Sequence, residues 1–310
     1  MLASPDMKIM KETLQKGTAN RGVYICSVEE KGNICFRFFQ KNIDICSREY
    51  ELSRVVFFNN MATPPFVKIL GLSPQVPDGA SGIANVYMEY LPGAGEFKLS
   101  DISSAQFESH ADYLASKICR SLAVLDGFIR RSANEMPTVC SPVPNSLDHY
   151  LSSADSDAQL FYDLSSVSEA FDRLRETFPY IYSHNDLHYH NLWIPREVSA
   201  HPFQTAPEYD IRILDYGLCG ANLAGAELHH FYAIQTMSAS TNAIFFGMLV
   251  KRYSECLGIP EDIVRIGACY YAILRMARRL RLRDSSFRID NERLSFMIED
   301  FREMISGVYG

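Results

Sequence analysis

The sequence predicts an α+β protein of two lobes, the first rich in strands and the second mainly helical. Three observations lead there. Short β-branched and aromatic runs crowd the first ninety residues, long apolar stripes at helical spacing fill much of the rest, and a Leu-Pro-Gly-Ala-Gly stretch at 91–95 separates the two regimes. Strands followed by helices, rather than alternating with them, mark an α+β chain and not a parallel sheet wound with helices. The 310 residues, 47% apolar and 22% charged, suffice for a sizeable core in each lobe.

The strands come first. Residues 23–28 and 34–39 are apolar runs joined by a Glu-Glu-Lys-Gly-Asn turn, which reads as a hairpin. Ser47 is placed to cap a helix whose Leu52, Val55 and Val56 fall at helical spacing, and Asn59-Asn60 with Pro64-Pro65 end it. Residues 66–70 and 85–90 read as two further strands, with a Pro-, Gly- and Ser-rich loop over 73–82 between them. The first lobe is thus expected at 1–91 and the second at 92–310.

In the second lobe, Ala111, Leu114, Ile118, Leu122, Leu125 and Ile129 make one long helical stripe, and Leu160, Leu164, Val167, Phe171 and Leu174 make another. Three prolines over 137–145 read as a loop. Short strands flank 184–191, another ends at Asp215, and helices are expected from about Gly225 onward.

Composition excludes several classes. A formal net charge of -7 lacks the basic footprint of a nonspecific nucleic-acid binder. The eight cysteines are scattered without a C-x-x-C pair, against a zinc site and in favour of buried free thiols in a reducing cytoplasm. The N-terminus has no signal-peptide pattern, and no apolar run is long enough to span a bilayer. A cytoplasmic protein without membrane insertion is expected, and a homodimer is compatible with these properties.

The residues with chemical potential lie in two polar loops. Residues 182–194 read YSHNDLHYHNLWI, with Asp186 and Asn191 five apart, and residues 211–218 read IRILDYGL, with Asp215 ending an apolar strand. Phosphoryl transfer requires an acceptor hydroxyl to be oriented and deprotonated, and phosphates to be held and neutralised by metal ions. A carboxylate on a tight loop suits the first task. An amide oxygen and a second carboxylate suit the other, because magnesium prefers oxygen ligands. Each Asp alone would be an ordinary turn or strand-end residue. Together, H-x-D-x-x-x-x-N followed by D-aromatic-G points to a protein-kinase-like fold. Asp186 is the expected catalytic carboxylate, His184 braces its loop, and Asn191 with Asp215 are the expected metal ligands.

The first lobe offers complementary parts. Gly17 to Asn20 precede the first apolar strand, where a phosphate-covering loop belongs. Arg37 lies within the strand at 34–39 and is the expected phosphate-binding cation, with Glu51 on the following helix as its anchor and Glu49 as the rival. Met88 and Tyr90, before the Pro92-Gly93 hinge, are expected beside the nucleotide base.

These motifs resemble the aminoglycoside phosphotransferase and choline kinase superfamily, over the chain to about residue 231. The match to the choline/ethanolamine kinase branch is the nearest. It rests on Gly17 and Asn20 of G-x-x-N, on Arg37, on Arg48 and Glu51 of R-x-x-E, on His184 to Leu187 of H-N-D-L, and on Asp215, Asn222 and His230-Phe231. Gly217 departs from it, standing where that branch carries Glu, and Glu227 is one position off the acidic residue before His-Phe. The resemblance implies a kinase that uses Mg2+ and ATP or GTP, with an amino alcohol such as choline or ethanolamine as first choice of acceptor. An antibiotic of the aminoglycoside type, a pseudokinase or binding module, and a protein kinase are the alternatives.

Glu227 and Tyr232 are the expected contacts for an ammonium group, by charge attraction and a cation–π contact. Tyr253, Tyr270 and Tyr271 could complete an aromatic cage. His184, His188, His190, His229 and His230 admit a metal reading, though bracing and filling roles suit them better. Arg275, Arg278, Arg279, Arg281 and Arg283 read as a solvated helix face, with an anionic substrate group as the sharper alternative.

Overall fold

The computed structural model describes residues 7–15, 22–31, 33–59, 65–75, 82–93, 107–142, 147, 158–174, 178–194, 211–236, 240–281 and 291–309. Gly17, Asn20 and Arg283 lie outside these, as do the side chains of Arg279 and Arg281. The contacts divide the chain into two compact units. The first comprises Met1–Phe97, Arg131–Cys140 and His190–Cys219; the second comprises Lys98–Arg130, Ser141–Tyr189 and Gly220–Gly310. Two later segments, Arg131–Cys140 and His190–Cys219, thus belong to the first unit.

The first unit is built on an antiparallel sheet of β1 (Met7–Gln15), β2 (Val23–Glu30), β3 (Asn33–Asp44), β4 (Ile69–Gln75) and β5 (Ile83–Glu89), in the order β1-β2-β3-β5-β4. The hairpin read from sequence is β2–β3, with Ile25 opposite Phe39. β1 was not legible, because its Lys and Glu residues break the apolar run. β4 begins later than expected and runs through Pro74; it is an edge strand, where a missing N–H costs no ladder bond. The helix α1 (Arg48–Phe58) follows β3, and the Ser47 hydroxyl accepts the Tyr50 N–H at its N-terminus. Leu52, Val55 and Val56 are buried on one face of α1, as their spacing requires.

Two short strands, β7 (Leu192–Trp193) and β8 (Arg212–Ile213), pair antiparallel within this unit. Phe39, Val67 and Leu91 form a buried cluster with Met88, Tyr90, Trp193 and Leu214 packed on it. The stretch expected as a loop after Met136 begins with a one-turn helix, α3 (Pro137–Cys140), whose Pro stands at the first helical position, where no N–H bond is lost.

The second unit is helical, with β6 (Tyr180–Ser183) pairing β9 (Gly220–Leu223). α2 (Phe107–Arg131) buries all six residues of its apolar stripe. α4 (Ala158–Leu174) buries Leu164, Val167 and Phe171, while the side chains of Leu160 and Leu174 fall outside the described residues. α5 (His229–Gln235), α6 (Ser240–Leu257), α7 (Glu261–Arg281) and α8 (Asn291–Tyr309) follow. Arg252 on α6 binds both carboxylate oxygens of Asp112 on α2. The central helix is α7, where Ala268 to Leu274 are buried without a break.

Two glycines fix how α7 approaches the turn after β9. Gly225 has φ +86, and a Cβ there would run into the Val264 carbonyl; a Cβ on Gly267 would run into the Ala224 carbonyl. Backbone meets backbone at both places, so neither position has room for a side chain. No helix among the described residues is long and apolar enough to cross a membrane. None of the eight cysteines is in a disulfide, but Cys35 and Cys46 are exposed rather than buried.

Candidate functional site

Within the first unit, strand alternation decides which cation is buried. Arg37 and Lys41 stand an even number of positions apart along β3, so both side chains leave it on one face. Arg37 is exposed, with its guanidinium 5.7 Å from the Tyr90 ring centroid. Lys41 is buried, and its Nζ lies 2.6 Å from Glu49 Oε1 and 3.1 Å from Asp215 Oδ1. Burial opposes the ammonium charge, but the carboxylates of Glu49 and Asp215 outweigh it and raise the Lys41 pKa. The expected Arg37–Glu51 pair is not formed. Glu51 instead accepts the backbone N–H groups of Thr138 and Val139 at 3.2 and 2.7 Å, because it leaves α1 on a different side from Glu49.

The β7–β8 pairing brings the two expected metal ligands to one end of a ladder. Leu192 stands opposite Ile213, and just beyond that pair the Leu214 N–H donates to the Asn191 carbonyl at 2.8 Å. Asn191 and Asp215 therefore emerge together. Asp215 has φ +59, a left-handed conformation that Asp tolerates better than most residues and that costs about 1 kcal/mol. A cavity of about 430 Å³ is lined by both, by Lys41 and Glu49, and by apolar side chains including Phe39, Val67, Ile69, Met88 and Leu214. Tyr90 is outside the lining and packs on Phe39. Oxygen donors beside a buried ammonium fit a magnesium-bound polyphosphate, and the apolar wall fits a flat base.

In the second unit, the loop after β6 is held from both sides. Asn185, with φ +61, is fully buried. Its Oδ1 accepts from Ser183 Oγ at 2.8 Å and Asn222 Nδ2 at 2.6 Å, and its own Nδ2 donates to the Ser183 and Gly220 carbonyls, both at 3.1 Å. Asn222, seen in sequence only as part of a motif, thus secures the loop. His184 is wholly buried, and its Nδ1 accepts the Asp186 N–H at 3.3 Å, the bracing geometry expected of it.

Asp186 emerges from this loop beside one arginine and two histidines. Its Oδ1 lies 3.2 Å from His230 Nε2 and 3.1 Å from Arg275 Nη2, and its Oδ2 lies 4.0 Å from His188 Nε2. Burial raises its pKa, but the His230 hydrogen bond and the charges of Arg275, His230 and His188 together bring it down to about 2. Arg275 was read from sequence as part of a solvated face. Arg278 does lie exposed there, whereas Arg275 turns inward to Asp186.

The residues expected to recognise an ammonium group are elsewhere. Glu227 is fully buried, and burial pushes its carboxyl up to about 7, although the hydroxyls of Ser183 and Tyr253 pull it back. Tyr232 is buried and donates to the Asp300 carboxylate. Tyr253, Tyr270 and Tyr271 are core residues as well, so the aromatic cage does not form. Tyrosines at helical spacing on α6 and α7 signal packing here, and their period matched the helix core all along.

No family model matches the chain, and no curated protein matches it in sequence. Solved structures do match in shape. The GDP and kanamycin complex of APH(2")-IIia aligns with 98% of this chain and 95% of its own, at 16% identity and a TM-score of 0.57. Aminoglycoside phosphotransferase APH(4)-Ia aligns with 98% and 95% at 11% identity and a TM-score of 0.56. The chain has the two-lobed, kinase-like α+β fold of the aminoglycoside phosphotransferases. Choline kinase LicA from Streptococcus pneumoniae aligns at 11% identity and a TM-score of 0.49, over 98% of this chain and 95% of its own, a likeness too low to argue from.

Proposed function

We propose that the chain is a small-molecule kinase that moves the terminal phosphoryl group of ATP or GTP to a hydroxyl. The observation that carries this reading is the Lys41 ammonium held between Glu49 and Asp215 in the lining of a cavity that also receives Asn191. Lys41 takes the phosphate-binding role that the sequence had suggested for Arg37. Met88 contributes to the apolar wall for the base. Magnesium, when bound to Asn191 and Asp215, supplies neutralisation of the phosphate charge.

Asp186 accepts the hydrogen bond of the acceptor hydroxyl. With a pKa of about 2 it is ionised throughout the neutral range, so it orients the hydroxyl and takes the proton late, as the bond to phosphorus forms. His184 and Asn185 hold the loop that presents it. A charged acceptor amine loses the support of Glu227 and Tyr232, since both are interior; a hydroxyl-bearing small molecule is the acceptor class that remains.

The test is a nucleotide-consumption screen of the purified chain with magnesium, against amino alcohols, aminoglycosides and a generic protein substrate. Consumption that depends on one small hydroxyl compound supports the proposal. Consumption with the protein substrate alone, or with none of them, contradicts it.

A further inference from the structure

A second kind of metal chemistry is built around Asp186. One nitrogen from each of His188 and His230 and one oxygen of Asp186 lie within 4.8 Å of one another. His230 Nε2 lies 3.2 Å from Asp186 Oδ1 and His188 Nε2 lies 4.0 Å from Asp186 Oδ2, against the edge of about 3.3 Å that a tetrahedral zinc ion sets between its ligands. The imidazole rings stand nearly perpendicular, with centroids 5.0 Å apart. All three side chains are partly exposed, so an ion has a way in.

We propose that Asp186, His188 and His230 form a binding site for a divalent transition metal of the zinc class, distinct from the magnesium of the nucleotide. Two imidazoles and one carboxylate are the ligand set such metals favour, with a fourth position left open, whereas magnesium avoids nitrogen. The scaffold is stiff where it matters. Asn185 and His184 fix the loop carrying Asp186 and His188, and the backbone contact at Gly225 fixes the turn that leads to His230.

Arg275 is the opposing force, because its guanidinium is a like charge beside the ion. It lies 3.1 Å from Oδ1 rather than on the His188 side of the carboxylate, so its charge weakens the site. Removing that charge tightens binding. A metal on Asp186 occupies the oxygen that receives the acceptor hydroxyl, so zinc inhibits turnover; this consequence alone rests on the kinase reading, and the binding does not.

The experiment is a titration of the full chain with Co2+, displaced afterwards by Zn2+. Expected are one equivalent of cobalt with visible d–d bands, no thiolate-to-cobalt charge-transfer band, and at least about tenfold weaker binding in His188→Gln and in His230→Gln. Arg275→Gln binds more tightly. Thermal melts without metal check that the variants fold. A Cys35→Ser/Cys46→Ser variant, whose changes touch only exposed thiols, keeps the bands whether or not the histidine variants fold. A thiolate band, bands lost in that double variant, or binding unchanged in both histidine variants overturns the site.

Discussion

Lys41 in the first unit and Asp186 in the second are opposite arrangements: a cation among carboxylates and a carboxylate among nitrogen donors. Lys41 is one cation between two carboxylates, and its side chain is 6% exposed. Asp186 is one carboxylate among an arginine and two histidines, and it is 23% exposed. The buried cation is neutralised by two carboxylates, one more than its charge requires. The more exposed group is held ionised by its neighbours and keeps one oxygen towards solvent-accessible imidazole. Burial therefore sets the cost of losing a partner, and exposure sets how far the group can serve a ligand.

The largest expected effect tests the buried side. Lys41→Met strands Glu49 without its cation, and stability measured by urea unfolding should fall by about 3–5 kcal/mol. A loss below about 1 kcal/mol breaks the contrast between the clusters.

Glu227, with no cation among the causes of its shift in the described residues, sharpens the role of burial. Its folded pKa of about 7 exceeds the ordinary 4.5, so between those values the folded protein holds a proton that the unfolded chain has released. Stability should decline as pH rises across that window, by about 3 kcal/mol in total from this group. Glu227→Gln should flatten that part of a melting-temperature profile, and an unchanged profile places the effect in another group.

Asp186→Asn keeps the shape of the exposed cluster and removes its charge. Turnover should fall by about a hundredfold, equivalent to ~2.7 kcal/mol, with folding retained. Wild-type-like turnover in a purified, folded variant removes Asp186 from the chemistry. The smallest effect belongs to Arg37→Ala, at an exposed position, which should change stability by less than about 0.5 kcal/mol. A cost like that of Lys41→Met would return the cation role to Arg37.

How much of this was legible depended on whether a pattern or a partner carried the information. The α2 stripe, the Ser47 cap and the β2–β3 hairpin follow from local periodicity and capping chemistry, and all three are present. The loop residues His184, Asp186, Asn191 and Asp215 were singled out by their spacing, and their roles are those proposed above. Lys41 was not singled out because it stands beyond the apolar run, beside Gln40 and Asn42, whereas Arg37 sits inside it. Period-two alternation puts both residues on one face, and the carboxylate partners Glu49 and Asp215 separate them. The inward turn of Arg275 was hidden for the same reason. Nothing in a run of arginines on one helix marks the residue that meets a carboxylate 89 positions away.

The most direct test of the whole account is Mg2+-dependent binding of a fluorescent ATP or GTP analogue to Asp215→Ala and Asp186→Ala. Asp215→Ala should bind at least about tenfold more weakly than wild type, because the metal site loses one of few oxygen ligands, while Asp186→Ala should bind as wild type does. Equal weakening in both variants, or wild-type binding by Asp215→Ala, contradicts the division of labour between the two clusters.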